Sequence, residues 1–304
     1  MTISRRRFVG TGVAAGLGAG LLAACSSTDQ TSSASTATST TAATNPLQPA
    51  TFQQFLTQRG YTEAPASPLI TGDEFNGGLR YDDDTSGYAP KSYIVQPAAR
   101  VEDAAKQSNP GTLPLFTIIG LETSTPQLAT ESATAVLEYL TSTVGLDPNR
   151  LRATTTDRSS AFFPLLARFG IGESQLRLRS AEEAIRDGSG SGWFAPAGHP
   201  GGPAAPSFSI EYALPDGSEL EIAEISHGTG DGSSSERTSG GIGVERVAMA
   251  RAGAATNWAD SLQSFTEAVR AEAARTGAAL PAGFAAISGT GAGTGFEPAP
   301  TTAG

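Results

Sequence analysis

The sequence predicts an α+β domain in which an antiparallel sheet is flanked by helices. Residues 208–212 (FSIEY) and 219–225 (ELEIAEI) alternate apolar and polar side chains, the pattern of a half-buried antiparallel sheet. Segments of helical period lie between these and earlier strands in mixed order, unlike the regular alternation that builds a parallel sheet. Between polar ends, residues 46–287 are enough for one large domain or two small ones.

Taken in order, residues 51–59 (TFQQFLTQR) place Phe52, Phe55 and Leu56 on one helical face. After the Gly/Asp-rich stretch GDEFNGGLRYDDDTSG come strands at 92–95 (SYIV) and 113–121 (LPLFTIIGL), the second with few charges and suited to a buried position. A helix over 127–143 turns Ala135, Leu137, Leu140 and Val144 to one side. Residues 150–155 read as a strand, 159–169 as a helix and 175–179 as a strand. At 241–250 a Gly-x-Gly turn leads into a helix carrying an arginine. A last helix over 257–275 aligns Trp258, Leu262, Phe265 and Val269.

The two ends are of different material. Arg5, Arg6 and Arg7 precede an apolar, Gly/Ala-rich run that ends in Leu22-Ala23-Ala24-Cys25, which reads as an export leader with a lipid-attachment cysteine. SRRRFV is similar to a twin-arginine signal. Cys25 is the single cysteine, so no disulfide forms within the chain and the thiol is the expected site of lipidation. The expected location is the outer face of the cytoplasmic membrane. Residues 26–45 are a Ser/Thr/Ala tether and 288–304 a similar tail, both too poor in apolar side chains to offset the entropy of ordering. The net charge is −10, and loss of residues 1–24 removes three arginines and no acid. Such a balance argues against nucleic acid as a partner.

Several pieces in the body stand in a telling order: VQPAAR with Arg100, followed by Glu102-Asp103, the strand around Phe116, Trp193, GGPAAPSFSIEY, LEIAEIS, then GGIGVER with Arg246. This succession resembles the catalytic domain of alanyl-tRNA synthetase, a class II aminoacyl-tRNA synthetase. FQQFLTQRGYTEAPASPL is similar to that family's opening segment, and residues 145–179 resemble its strand–helix–strand insertion. The likeness runs from about residue 50 to 255, and its co-linearity is more specific than any one motif.

The resemblance implies a class II synthetase-like fold, ATP and magnesium as cofactors, and a small-molecule ligand. Arg100 matches the arginine that holds the α-phosphate and carboxylate, Arg246 the one packed against the nucleotide. Adenylate formation brings two anions together, which explains the need for guanidinium groups. Phe116, Trp193, Glu224, Ser239, Gly241 and Gly243 fall at ligand-binding positions, and Glu221 at a magnesium ligand. Trp193 as a core aromatic and Glu221 as a solvated strand residue remain open readings. The chain also departs from the pattern. The family's Trp-Asn is Ala223-Glu224 and its aspartate is Ser239, so alanine as ligand is in doubt, and the basic motif 2 loop is replaced by Val101 to Lys106. Past residue 255 only one helix and the tail are read, without the tRNA-binding and editing regions.

His199 and His227 lack metal-ligand spacing and read as loop residues, so no zinc is expected. The absence of a Gly-x-Ser-x-Gly elbow argues against a hydrolase. The leading expectation is an exported, lipid-anchored protein that binds an amino-acid-like or nucleotide ligand without turnover. The alternatives are an ATP-dependent adenylating ligase and a structural envelope protein. The residues give no oligomeric state.

Overall fold

Two nine-residue segments rich in β-branched and aromatic side chains form the first long antiparallel pair, β4 (Lys91–Ala99) with β5 (Leu115–Thr123). A second pair, β9 (Ala205–Ala213) and β10 (Glu219–His227), meets across a turn in which the Asp216 carboxylate accepts from the Ser218 amide at 2.9 Å. The computed structural model describes residues 49–71, 74–77, 89–100, 103, 110–123, 128, 130–194, 204–228, 238–256, 262–280 and 284. All belong to one unit, Ala43–Gly304. The leader with Cys25, the tether, the tail, His199, Gly202, Pro203 and most of the 101–106 loop lie outside the described residues.

Strand β11 (Thr238–Gly243) joins the two pairs, antiparallel to β5 on one side and to β10 on the other. Strands β6 (Leu151–Thr156) and β7 (Leu176–Arg179) extend the sheet beyond β9, and β1 (Thr62–Glu63) adds to β4. The order is β1-β4-β5-β11-β10-β9-β6-β7, with the short β8 (Trp193–Phe194) on β9. Strands β2 (Ile70–Thr71) and β3 (Glu74–Phe75) form a separate pair. The sheet is antiparallel except at its two edges and helices flank it, as the sequence predicts.

Because residues opposite one another share a face, the register sorts the side chains. One face carries Tyr93, Leu121, Ile225 and Phe208 in one row and Ile119, Ile242, Ala223, Ile210 and Ala153 in the next. Helix α2 (Glu131–Glu138) covers it at Gly240, where an added Cβ would lie 3.0 Å from Val136 Cγ2. Glycine there lets the helix approach the strand. Helix α1 (Pro49–Gln58) packs Phe52 edge-on to Tyr139, with ring centroids 4.1 Å apart. The α2 segment starts four residues later than its periodicity suggested and continues as one wide turn through Thr143, but Ala135, Leu137, Leu140 and Val144 are all buried as expected.

Helix α3 (Phe163–Arg168) follows a tight 3₁₀ turn over Asp157–Phe162. Helix α4 (Ala181–Asp187), which the sequence reading passed over, begins in a capping box between Ser180 and Glu183. Helix α5 (Val244–Ala252) buries Val247, Met249 and Ala250, and α6 (Leu262–Thr276) buries Val269.

Candidate functional site

The other face of the sheet is polar. One row reads Ser92, Glu122, Ser239, Ser226 and Ser207; the next reads Ile94, Gly120, Gly241, Glu224, Ser209 and Thr154. Gly120 and Gly241 stand opposite one another and present no side chain, so this part of the face is bare main chain between Ile94 and Glu224. Farther along, Glu221 faces Glu211, and a bulge between Glu221 and Ala223 restores the alternation.

Arg100 closes β4. Its Nε donates to the Gly77 carbonyl at 2.7 Å, and its guanidinium carbon lies 5.0 Å from the Phe116 ring centroid. That ring limits how the side chain can turn. Arg246, in the first turn of α5, donates from Nε to the Gly111 carbonyl at 2.9 Å and from Nη1 to the Glu221 carbonyl at 3.2 Å. The same Nη1 lies 4.0 Å from Glu221 Oε2. Beside Arg246, both carboxylate oxygens of Glu245 accept from the Thr117 amide at 2.9 Å. Thr117 lies past the last β5–β11 pair, Gly243 with Ile118, so Glu245 ties α5 to β5 one residue from Phe116.

Glu224 lies on β10, which packs against α5 and is separated from β4 by β5 and β11. Its Oε1 accepts from Ser207 Oγ at 2.8 Å and from the Gly190 amide at 3.2 Å. Burial pushes its carboxyl up to about 7 and the charge of Glu221 adds to this, while the Gly190 and Ser207 bonds and the charge of Arg100 pull it down. Arg100 and Glu221 therefore both reach Glu224 electrostatically. Ser239 donates from Oγ to Glu122 Oε2 at 3.4 Å, so this hydroxyl faces an acid supplied by β5.

No protein-family model matches the chain, and no curated protein matches its sequence. Solved aminoacyl-tRNA synthetases are among the structures the chain resembles. Histidyl-tRNA synthetase of S. aureus is 15% identical over 67% of this chain and 64% of its own, with a TM-score of 0.41. Aspartyl-tRNA synthetase of Entamoeba histolytica is 16% identical over 66% and 53%, with a TM-score of 0.37. Asparaginyl-tRNA synthetase of Pyrococcus horikoshii, complexed with asparaginyl-adenylate, is 14% identical over 66% and 62%, with a TM-score of 0.38. The chain thus spans just over half to just under two thirds of the length of these synthetases.

Of the residues singled out in the sequence, Arg100 with Phe116, and Arg246, Glu221 and Glu224 with Gly241 opposite, form one linked set. Gly243 ends β11 and caps α5, holding Arg246 at the helix start. Trp193 is buried in β8 opposite Pro206, with the Arg158 guanidinium 5.5 Å from its ring, so the core reading of this aromatic fits its surroundings. His227 is not a loop residue. It ends β10, because that strand runs two residues past the alternating segment. Ser207, Gly190 and Glu245 were not singled out in the sequence; the serine directly before FSIEY carries no motif, and its role appears only across strands.

Two guanidinium groups held by main-chain carbonyls and a part-exposed carboxylate, Glu221, are a donor set that fits a nucleotide phosphate with magnesium. Among the described residues no group of three or more His, Cys, Asp or Glu side chains is placed to hold a metal ion. A magnesium ion on Glu221 would therefore draw its remaining ligands from phosphate oxygens and water.

Proposed function

We propose that this chain is an exported, lipid-anchored domain of class II synthetase type that binds a small amino-acid-like or nucleotide ligand on the polar face of its sheet. The observation that carries the reading is the arrangement around Glu224, a carboxyl next to bare glycine floor, with Arg246 on the helix packed against its strand and the charge of Arg100 acting on it from the end of β4. Such a surface complements a zwitterion: an ammonium group toward Glu224, and carboxylate or phosphate oxygens toward the guanidinium forks. The order of motifs from VQPAAR to GGIGVER supports the same reading. The leader supports export, with attachment through Cys25. Detergent phase partitioning tests this part: the wild-type chain should enter the detergent phase and Cys25→Ala the aqueous one.

Thermal unfolding of the purified chain tests binding. A ligand specific to the native state at a hundred times its dissociation constant stabilises it by about 2.7 kcal/mol. Magnesium-ATP should raise the midpoint in the wild type and not in Arg246→Ala, and members of an amino-acid panel should do so in a Glu224-dependent manner. No shift with either would leave only a borrowed scaffold.

Activation of a carboxylate by ATP is the second reading, favoured by both arginines being anchored to main-chain carbonyls. It requires pyrophosphate release that depends on the amino acid. In it Arg100 offsets the charge of the α-phosphate and incoming carboxylate, and Arg246 holds the nucleotide. Loss of turnover in Arg100→Ala is the expected result; absence of turnover in the wild type leaves the binding protein.

A further inference from the structure

Ser207 joins two hydrogen-bonded clusters on opposite sides of the sheet. On the polar side its hydroxyl donates to Glu224. Its main chain is held by other residues: the amide donates to the Gly192 carbonyl at 3.1 Å, and the carbonyl lies 2.8 Å from Thr155 Oγ1 and 3.2 Å from Ser159 Oγ. Ser159 Oγ lies in turn 2.8 Å from His227 Nε2. Thr155 and His227 belong to the apolar face by alternation, and the imidazole packs on Phe162 with centroids 4.6 Å apart.

The Ser207 carbonyl only accepts and takes a proton from Thr155; Ser159 either gives its own proton to that carbonyl and accepts from Nε2–H of His227, or gives it to Nε2. Burial lowers His227 to about 4, so the ring is neutral at ordinary pH and one of its nitrogens is an acceptor. Ser159 stands between the imidazole and the Ser207 carbonyl, and the Ser207 hydroxyl donates to Glu224. Bonds of this kind polarise and orient one another.

We propose that Thr155, Ser159 and His227 are positioning residues that fix the main chain of Ser207 from the apolar side, so that its hydroxyl holds the Glu224 carboxyl in one orientation for the ligand's ammonium group. The ammonium rests on the reading above, but the positioning is testable without any ligand. Among the described residues the charged groups acting on Glu224 are Glu221 on its own strand and Arg100 from the end of β4; the Gly190 amide and Ser207 hydroxyl donate to it, and Gly241 opposite contributes no side chain.

The Gly190 amide reports on Glu224 directly, since its proton is donated to that carboxyl. Hydrogen exchange by NMR on the intact chain should show Gly190 exchanging about tenfold faster in Ser159→Ala, with Ile210 in the middle of β9 unchanged. His227→Phe and Thr155→Val should do the same, whereas His227→Gln, which keeps both a donor and an acceptor, should restore slow exchange. In a Glu224→Ala background, where Gly190 already exchanges fast, Ser159→Ala should add nothing. Unchanged Gly190 exchange in Ser159→Ala and His227→Phe overturns the proposal, as does equal acceleration at Ile210 or an additive effect in the Glu224→Ala background. Because no ligand enters the measurement, this failure is separate from a failure to bind ATP or amino acids.

Discussion

Arg100 and Arg246 each spend donors on main-chain carbonyls, which leaves their planar groups oriented before any ligand arrives. Replacing Arg100 by alanine should weaken magnesium-ATP binding by about 10- to 100-fold, the worth of a charge-assisted pair. Lysine should not rescue it, for it lacks the fork and the flat face that meets Phe116; titration calorimetry on the three proteins decides this. Glu211 gives a separate pH signature. Burial pushes its carboxyl up to about 7 from an ordinary 4.5, against the pull of the Thr154 hydroxyl and the Arg177 charge. The folded state then holds the proton more tightly than the unfolded one, so stability falls as pH rises from 4.5 to 7 and stays reduced above. In urea denaturation, Glu211→Gln should flatten that fall and add up to about 3 kcal/mol at pH 8. His227 runs the other way, costing stability as pH falls from 6.5 to 4.

Among the elements, the turn from Gly188 to Gly192 matters out of proportion to its length, since it lays the Gly190 amide on Glu224 and the Gly192 carbonyl on Ser207. Gly192 has φ of 98°, and an added Cβ would lie 2.8 Å from the Thr155 carbonyl carbon. Gly192→Ala should therefore cost about 2–4 kcal/mol in urea denaturation, combining backbone strain with overpacking against main chain that cannot yield. The sequence reading passed over this turn, although residues 187–192 (DGSGSG) carry a turn signal; what it contacts is not written in it. The long strands were legible because their alternation survives in FSIEY and ELEIAEI, and Phe52, Phe55 and Leu56 were legible because burial follows the helical period. Strand β9 is longer than it read, since Ser207, Ser209 and Glu211 are buried although polar, and their face looked solvated from residue type alone. Helix α4 was missed although Ser180 and Glu183 carry a capping signal, and β1, β2 and β3 are too short for any period to show. Arg100, Glu221, Glu224 and Arg246 were found by motif order; Ser207 and Gly190 act across strands and turns, where a linear pattern is silent.

For the molecule as a whole, the strand order places β11 between β5 and β10, so the piece that unites the two antiparallel pairs is the last strand among the described residues. A chain ending at residue 237 keeps every other strand but loses this connection and the α5 arginine, and it should show no cooperative unfolding transition by circular dichroism. The wild type should unfold in one step. The same placement sets a schedule for synthesis. A ribosome adding roughly 5–20 residues per second completes the β4–β5 pair long before the middle strand emerges and the β9–β10 pair only shortly before it. Over that last interval the nascent chain carries two partly built sheets with open inner edges, each able to pair with a neighbouring polypeptide. The interval in which a chaperone has most to protect is therefore the few seconds before Gly243 clears the exit tunnel, rather than the beginning of translation.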